Sequence, residues 1–243
     1  FHRQFTHSLF FIPIGGLVCA LVFFALMSLF QKSPSLTFKQ TYLIATLGYA
    51  THGLLDAFTS YGTQLLWPFT IERIALNSIS IIDPLFTVPL LAIGFTAMVK
   101  RSKGLVLIAV MYGLSYLSLG MIQHNRAYDA AMQLAAHRGH NAINISVKPS
   151  FGNLIVWKSI YQYQNDYYVD GIHVLQQPKY FPGTVTPKLD INTDLPWLDL
   201  NSQQARDIER FRWFSSDHLS LDPNNSYRII DMRYSMLPNN SEG

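Results

Sequence analysis

The sequence predicts a helical membrane domain with about four transmembrane helices, followed by a small α+β domain outside the membrane. The first indication is residues 8–30, which carry no charged side chain. A helix needs roughly 20 apolar residues to cross the hydrocarbon core of a bilayer. The second indication is a change of composition near residue 123, after which polar residues become frequent. Three further apolar stretches precede that change: 41–58, 81–99 and 104–122.

We interpret the first apolar stretch as a transmembrane helix and not as a signal peptide. It is too long, no small-residue cleavage motif follows it, and further apolar stretches come after it. The chain begins at Phe1 instead of Met, so we expect a fragment or processed product whose upstream segment carries part of any site. Cys19 is the single cysteine, and we expect it to pack as a small apolar residue.

Basic residues predict which helix ends face the cytoplasm, because Lys and Arg concentrate in cytoplasmic loops. The loop 31–40 contains two lysines, and the loop 100–103 has the sequence KRSK. With both loops in the cytoplasm, the N-terminus, the loop after Asp56 and everything beyond residue 122 lie on the outer side. The candidate site residues described below then share one leaflet.

We therefore assign residues 1–122 to the membrane domain and residues 123–243 to the extramembrane domain. A helix is expected to leave the membrane and end near Gly139, and the proline-rich stretch 176–197 reads as a loop. The small net charge of +3 shows no basic stripe, which argues against a nucleic-acid partner. Alternating or clustered β-branched and aromatic residues predict strands over 142–150, 153–163, 167–175 and 226–235. An amphipathic pattern predicts a short helix over 205–215.

His52 and Asp56 are the first candidate metal ligands, because ionisable residues inside a membrane helix are costly and therefore functional suspects. Their i, i+4 spacing puts both side chains on one helix face. An imidazole and a carboxylate together suit zinc, manganese or iron. The alternative is a histidine that packs between helices and an interfacial carboxylate, each satisfied by its neighbours.

His2 and His7 precede the first transmembrane helix on the same predicted side as Asp56, and we expect both to bind the same metal ion. Arg3, between them, is expected to position an anionic group such as a phosphate or carboxylate. The alternatives are ordinary interfacial histidines and an arginine that anchors at the lipid headgroups.

Asp83 has two interpretations. It either assists the metal site, as a further ligand or as an acceptor that orients a histidine, or it caps the helix that begins at Pro84. The loop 59–69 carries aromatic residues that suit the headgroup level of a membrane.

Three sequence blocks resemble the YdjM-type family of bacterial inner-membrane proteins, which are called membrane-bound metal-dependent hydrolases. The blocks are HRQFTHSLFF, THGLLDAFTSYGTQLLWPF and SIIDPLFTVPLL, within residues 1–122. Pieces of the second half, NLIVWKSI, RFRWFS and IIDMRYS, resemble the C-terminal domain of the longer family members. Members normally begin with a further membrane segment bearing a P-D-x-D-like motif, which has no counterpart here. The resemblance implies metal-site positions at His2, His7, His52 and Asp56, and a D-P motif at Asp83.

Together these patterns predict a metal-dependent hydrolase of a bacterial inner membrane with a periplasmic C-terminal domain. We expect it to act on a lipid-linked ester or phosphoester at the outer leaflet. Zinc is the expected cofactor, with manganese or iron as alternatives. The competing hypothesis is a non-enzymatic membrane protein whose metal site is structural or sensing and whose outer domain binds a partner.

Overall fold

A computed structural model describes residues 3–30, 36–235 and 237–240. The chain divides into two compact units, Phe1–Ile81 and Ile82–Gly243.

The first unit is a pair of packed helices. Helix α1 (Ile12–Phe30) follows two short 3₁₀ turns, Phe5–His7 and Leu9–Phe11, and α2 (Phe38–Phe58) begins at a capping box formed by Thr37 and Gln40. A methyl group added at Gly15 of α1 would lie 2.3 Å from the ring of Tyr49 on α2. Glycine is therefore required where the two helices approach closely, as is common between membrane helices.

The loop after α2 folds back onto the end of that helix. The backbone N–H groups of Leu76 and Ser78 donate to the carbonyls of Ala57 and Phe58, at 2.8 and 2.9 Å. The loop also holds the residues that precede α1, because the N–H of Gln64 donates to the carbonyl of Arg3 at 3.1 Å. We call residues 3–11 the lead-in. It is thus fixed beside the C-terminal end of α2.

The second unit begins with helices α3 (Pro84–Lys100) and α4 (Lys103–His137). Helix α4 runs without a break through residue 123 and ends before Gly139, whose φ of +73° lies in the left-handed region that glycine tolerates. The predicted end of this helix near Gly139 is therefore confirmed. The boundary of the compact units lies at residues 81/82, so a domain boundary near 123 stays a prediction.

A four-stranded antiparallel sheet follows α4, and its strands lie side by side in chain order: β1 (Ile143–Pro149), β2 (Val156–Tyr163), β3 (Asp166–His173) and β4 (Lys179–Pro187). One face of the sheet packs on a row of alanines of α4, which includes Ala127 and Ala131, through Trp157 and Ile172. Arg138, just after α4, forms a two-point ion pair with the buried Asp170, at 2.6 and 2.8 Å. The remaining elements are α5 (Ile191–Asp194), α6 (Gln203–Phe214), β5 (Leu219–Asp222) and β6 (Asn225–Asp231).

The three strands predicted over 142–175, the helix near 205–215 and the last strand are confirmed. The prediction of a loop over 176–197 is wrong, because β4 and the short α5 lie there. β4 is an edge strand, where proline does little harm because its missing N–H can face away from the sheet. Pro182 sits beside an irregularity in the pairing with β3.

Among the described residues, two segments are long and apolar enough to cross a membrane, Leu9–Phe30 and Lys103–His137. Only 17% and 6% of their most apolar stretches are buried inside the protein, whereas the core helix of a soluble protein is mostly buried. Helix α3 is apolar but has only 17 residues. A helical N-terminal region with two candidate membrane spans is therefore followed by a β-rich part, and the count of four spans stays a prediction.

The second face of the sheet buries two lysines opposite each other. Lys148 and Lys158 are cross-strand partners, 8% and 2% exposed. The ammonium group of Lys158 donates to the carbonyl of Asn240 at 2.7 Å. Burial lowers the pKa of Lys158 to about 7, although the charge of Asp231 acts in the opposite direction. The pKa of Lys148 is lowered by burial and then by repulsion from Lys158 and Arg233.

This burial predicts a pH-dependent stability. An unfolded lysine keeps its proton up to a pKa of 10.5, whereas folded Lys158 releases it above about 7. The unfolded state therefore binds more protons between these values, and the free energy of unfolding should rise from pH 7 to pH 10.5 and stay level below pH 7 as far as Lys158 is concerned. Guanidinium unfolding in detergent, followed by tryptophan fluorescence, measures this rise.

Lys158→Met should flatten the rise, whereas Lys179→Met, which alters an exposed lysine of β4, should leave it unchanged. Equal pH dependence in both variants would contradict the assignment to Lys158.

Candidate metal centre

Three metal-ligating side chains meet where the lead-in crosses the last two turns of α2. His52 and Asp56 come from one face of α2, and His7 comes from the first 3₁₀ turn. One ligand atom from each residue lies within 4.8 Å of the others. His7 Nε2 is 3.4 Å from Asp56 Oδ2, and the rings of His7 and His52 are 5.0 Å apart between centroids. A single cation placed among them could be bound by all three.

Arg3 holds the other oxygen of the carboxylate. Its guanidinium lies 3.1 Å from Asp56 Oδ1 and donates to the hydroxyl of Thr59 at 2.7 Å. The guanidinium carbon is also 5.0 Å from the centre of the Tyr61 ring. Arg3 is only 7% exposed, and its Nε has no hydrogen-bond partner among the residues that the structure describes. One carboxylate oxygen thus faces a fixed cation, and the other faces the histidines.

The orientation of His7 is set by Thr6 and Tyr49. Thr6 Oγ1 lies 2.9 Å from His7 Nδ1, so with the proton on Nδ1 the lone pair for a metal ion would be on Nε2, the nitrogen that faces Asp56. The hydroxyl of Tyr49 on α2 donates to the carbonyl of Thr6 at 2.6 Å. Such outer partners orient metal-binding histidines and raise their basicity.

Gly53 explains how the lead-in comes close enough to α2. It lies between the two ligands of the helix, and a methyl group at this position would be 2.8 Å from the carbonyl oxygen of His7. A side chain there would have to push the lead-in away. The glycine is therefore a geometric requirement of the cluster.

Asp83 lies in the second unit, at the start of α3. Its Oδ1 accepts the N–H of Phe86 at 3.1 Å, and the hydroxyl of Tyr116 is 2.9 Å from both carboxylate oxygens. These are the contacts of a helix cap, the alternative that the sequence left open. A part for Asp83 in metal chemistry stays a prediction. His2, the fourth predicted ligand, lies outside the described residues.

Sequence reasoning missed Thr6 and Tyr49 as residues that orient His7, and Arg3 as the partner of Asp56. Tyr49 carries a detectable signal, because it is a polar aromatic residue three positions before His52 in an apolar helix. The backbone contact of Thr6 has no such signal. Among the described residues, His7, His52 and Asp56 form the one group of three His, Cys, Asp or Glu close enough to share a metal ion.

Comparison with known proteins supports the membrane assignment. The chain matches the family described as YdjM inner membrane protein over residues 1–127, more than half of its length. The chain belongs to this family. The match contains His2, His7, His52, Asp56 and Asp83 and confirms the resemblance seen in the sequence. The family name indicates a protein of the inner membrane.

A relative in Bacillus subtilis (strain 168), described as uncharacterized protein YfhP, is 35% identical over 91 residues. That alignment covers 37% of this chain and 26% of the Bacillus protein, so the matched part spans about a quarter of that relative. No solved structure matches the chain significantly.

The geometry predicts the effect of a single methyl group. Gly53→Ala should displace the lead-in, because the new methyl group would overlap the carbonyl of His7. Zinc affinity, measured by competition with a fluorescent chelator, should fall about ten- to a hundredfold, the range found when metal-site support is lost. Gly94→Ala is the matched control, since no atom lies within 4 Å of the added methyl on α3. Equal affinities in the two variants would show that Gly53 does not position the cluster.

Proposed function

We propose that the protein is a membrane-bound, metal-dependent hydrolase that acts on a lipid-linked ester or phosphoester at the outer leaflet. The observation that carries the proposal is the convergence of His7, His52 and Asp56 within 4.8 Å, beside a helix long and apolar enough to span the membrane. Membership in an inner-membrane family supports the location but not the reaction.

The donor set fits a catalytic metal site. Two imidazoles and one carboxylate are a ligand combination of catalytic zinc sites, which keep one position open for water or substrate. Manganese and iron accept the same donors, so zinc is the first expectation among three. We propose His2, which directly precedes Arg3 in the sequence, as a further ligand, and the position for water is then the fifth at the metal.

A bound divalent metal would supply a water of lowered pKa and polarise an ester or phosphoryl oxygen. The chain's own residues supply the rest. Arg3 and Thr59 hold Asp56 in place, and Thr6 holds His7. Because the charges of Arg3 and Asp56 cancel, a site loaded with a divalent ion keeps a net positive charge and favours an anionic substrate. In this proposal Arg3 also contacts the anionic group.

The predicted depth of the site in the membrane favours a substrate at the headgroup level. His52 is exposed, and it lies one helical turn before Asp56 in α2, on the predicted membrane side of that carboxylate. Basic residues in loops 31–40 and 100–103 favour an outer location for this end of α2. Polar groups are costly in hydrocarbon unless they have partners, so an exposed histidine here favours a ligand that reaches it from the membrane.

One observation favours the non-enzymatic alternative, in which the site is structural or senses ions. Asp56 already has a cationic partner in Arg3 and a polar partner in His7. Its burial is therefore explained by these contacts, without a catalytic role. Four protein ligands close a structural zinc site, whereas three leave it open. The exchange of metal-bound water, measured by relaxation in the manganese-loaded protein, separates the two: an exchangeable water supports the hydrolase.

Removing one ligand tests the proposal directly. His52→Ala should reduce bound zinc, measured by elemental analysis, and should lower hydrolysis of long-chain phosphoesters at least about a hundredfold, because the metal supplies the nucleophile. His137→Ala, which alters an exposed histidine at the end of α4, should change neither quantity. Wild-type metal content and hydrolysis in the His52→Ala protein would end the proposal.

A second substitution tests how Asp56 is held. Arg3→Lys keeps the positive charge, but an ammonium group cannot reach Asp56 and Thr59 together as the planar guanidinium does. Zinc affinity should fall about tenfold or more, with little change in helix content by circular dichroism. Arg101→Lys, at an exposed position after α3, serves as control. Unchanged affinity in Arg3→Lys would mean that charge alone suffices.

A further inference from the structure

An apolar groove lies between α1 and α2, alongside the helix stretch that leads to the metal ligands. It encloses about 440 Å³ and is lined almost entirely by carbon and sulfur atoms. Because α1 is a candidate membrane span, the medium around the groove is expected to be hydrocarbon. Its lining includes Cys19, Phe23 and Met27 of α1 and Thr41, Ala45 and Gly48 of α2.

The groove and the metal ligands share one face of α2. Positions spaced by three or four residues lie above one another on a helix. The groove residues Thr41, Ala45 and Gly48 are followed at the same spacing by His52 and Asp56. Gly48 lies only about 6 Å from His52 along the helix axis, at 1.5 Å per residue. A long ligand that lies in the groove along α2 would therefore have one end close to the cluster.

The groove is open beside Gly48, one of its lining residues. No atom lies within 4 Å of the position that a methyl group at Gly48 would take, whereas Gly15 and Gly16 are filled by Tyr49 and Thr46. Tyr49, which also lines the groove, donates its hydroxyl to the carbonyl of Thr6, beside His7. The groove thus meets the lead-in that carries one of the ligands.

Size and charge select the occupant. A helix 10–12 Å wide fills roughly 420–610 Å³ for each turn of 5.4 Å, so a groove of about 440 Å³ holds one turn at most. It is too small for a membrane-spanning helix and suits a hydrocarbon chain. At the cluster end, Arg3 is buried, and its Nε has no partner among the described residues. Its charge is paired with Asp56, so the net positive charge that complements an anion is that of the divalent ion of the proposed function. Both features belong to one kind of molecule, a lipid with an anionic headgroup.

We propose that the groove between α1 and α2 binds one hydrocarbon chain of a lipid whose phosphate group lies at the cluster of His7, His52 and Asp56. The proposal rests on the proposed function, because it makes that lipid the substrate. It names the substrate class as a long-chain phospholipid or lipid-linked phosphoester and assigns chain recognition to the groove.

Photolabelling tests the groove without relying on catalysis. The full chain is placed in phosphatidylcholine nanodiscs with phosphatidic acid that carries a diazirine in one acyl chain, and labelled peptides are identified by mass spectrometry. We expect labelling of the groove residues that excess unlabelled phosphatidic acid displaces. Gly48→Leu should reduce the displaceable labelling about tenfold, because its side chain enters the groove. Met27→Trp, which narrows the groove from α1, should act in the same direction.

Gly94→Leu is the matched control, because Gly94 of α3 also has no atom within 4 Å of an added methyl. Its displaceable labelling should equal that of the unaltered protein. Displaceable labelling that survives both Gly48→Leu and Met27→Trp overturns the proposal, and so does labelling that unlabelled lipid never displaces. A chemical crosslink between the Cys19 residues of two chains that lipid does not disperse also overturns it, because a second copy would then fill the groove.

The outcome separates this inference from the proposed function. His52→Ala should keep its displaceable labelling, since chain binding needs neither metal nor turnover. Displaceable labelling without hydrolysis by the zinc-loaded protein supports the groove and contradicts the hydrolase. If the protein hydrolyses the lipid but Gly48→Leu and Met27→Trp leave the displaceable labelling unchanged, the result supports the hydrolase and contradicts chain binding in the groove.

Discussion

The candidate site depends on one close contact, the packing of the lead-in against the backbone of α2 at Gly53. The absence of a side chain at Gly53 lets the carbonyl of His7 approach the helix, and this approach brings His7 to the two ligands that α2 carries one turn apart. The loop after α2 reinforces the contact, because Gln64 and Leu65 bond to Arg3 and Leu9 of the lead-in. The candidate ligands are therefore held by backbone contacts among three segments, and not by one helix alone.

The ion pair between Arg3 and Asp56 gives the cluster its second property. A carboxylate close to the hydrocarbon of a membrane needs a partner. The guanidinium of Arg3 provides it, because it contacts both the carboxylate of Asp56 and the hydroxyl of Thr59. The pair leaves Asp56 Oδ2 directed toward His7, which is the arrangement that a metal ligand needs. The charges of Arg3 and Asp56 cancel each other, so this pair does not neutralise the charge of a bound metal ion. In the proposed function, affinity for an anionic substrate would therefore depend on the bound metal ion.

The sequence predicted much of this site, because its signals are local. The i, i+4 spacing of His52 and Asp56 and the position of His7 before an apolar helix are visible in the sequence, and the structure brings these three residues together. The roles of Thr6 and Tyr49 depend on how two segments pack, which no spacing reveals. The loop prediction over 176–197 failed for a different reason. Proline was taken to exclude a strand, although an edge strand such as β4 tolerates it.

The length of α4 reconciles a membrane exit near residue 123 with a compact unit that begins at Ile82. A helix of 35 residues is about 52 Å long, whereas the hydrocarbon core is about 30 Å thick, so roughly 15 residues extend beyond it. Polar residues appear on α4 where that excess would begin: Gln123 donates to the carbonyl of Leu154, and Arg126 donates to that of Gln176. The alanine face that binds the sheet follows at once. One continuous helix can therefore serve as both a membrane span and the core of the second unit, which is why composition changes near 123 without a break in the packing.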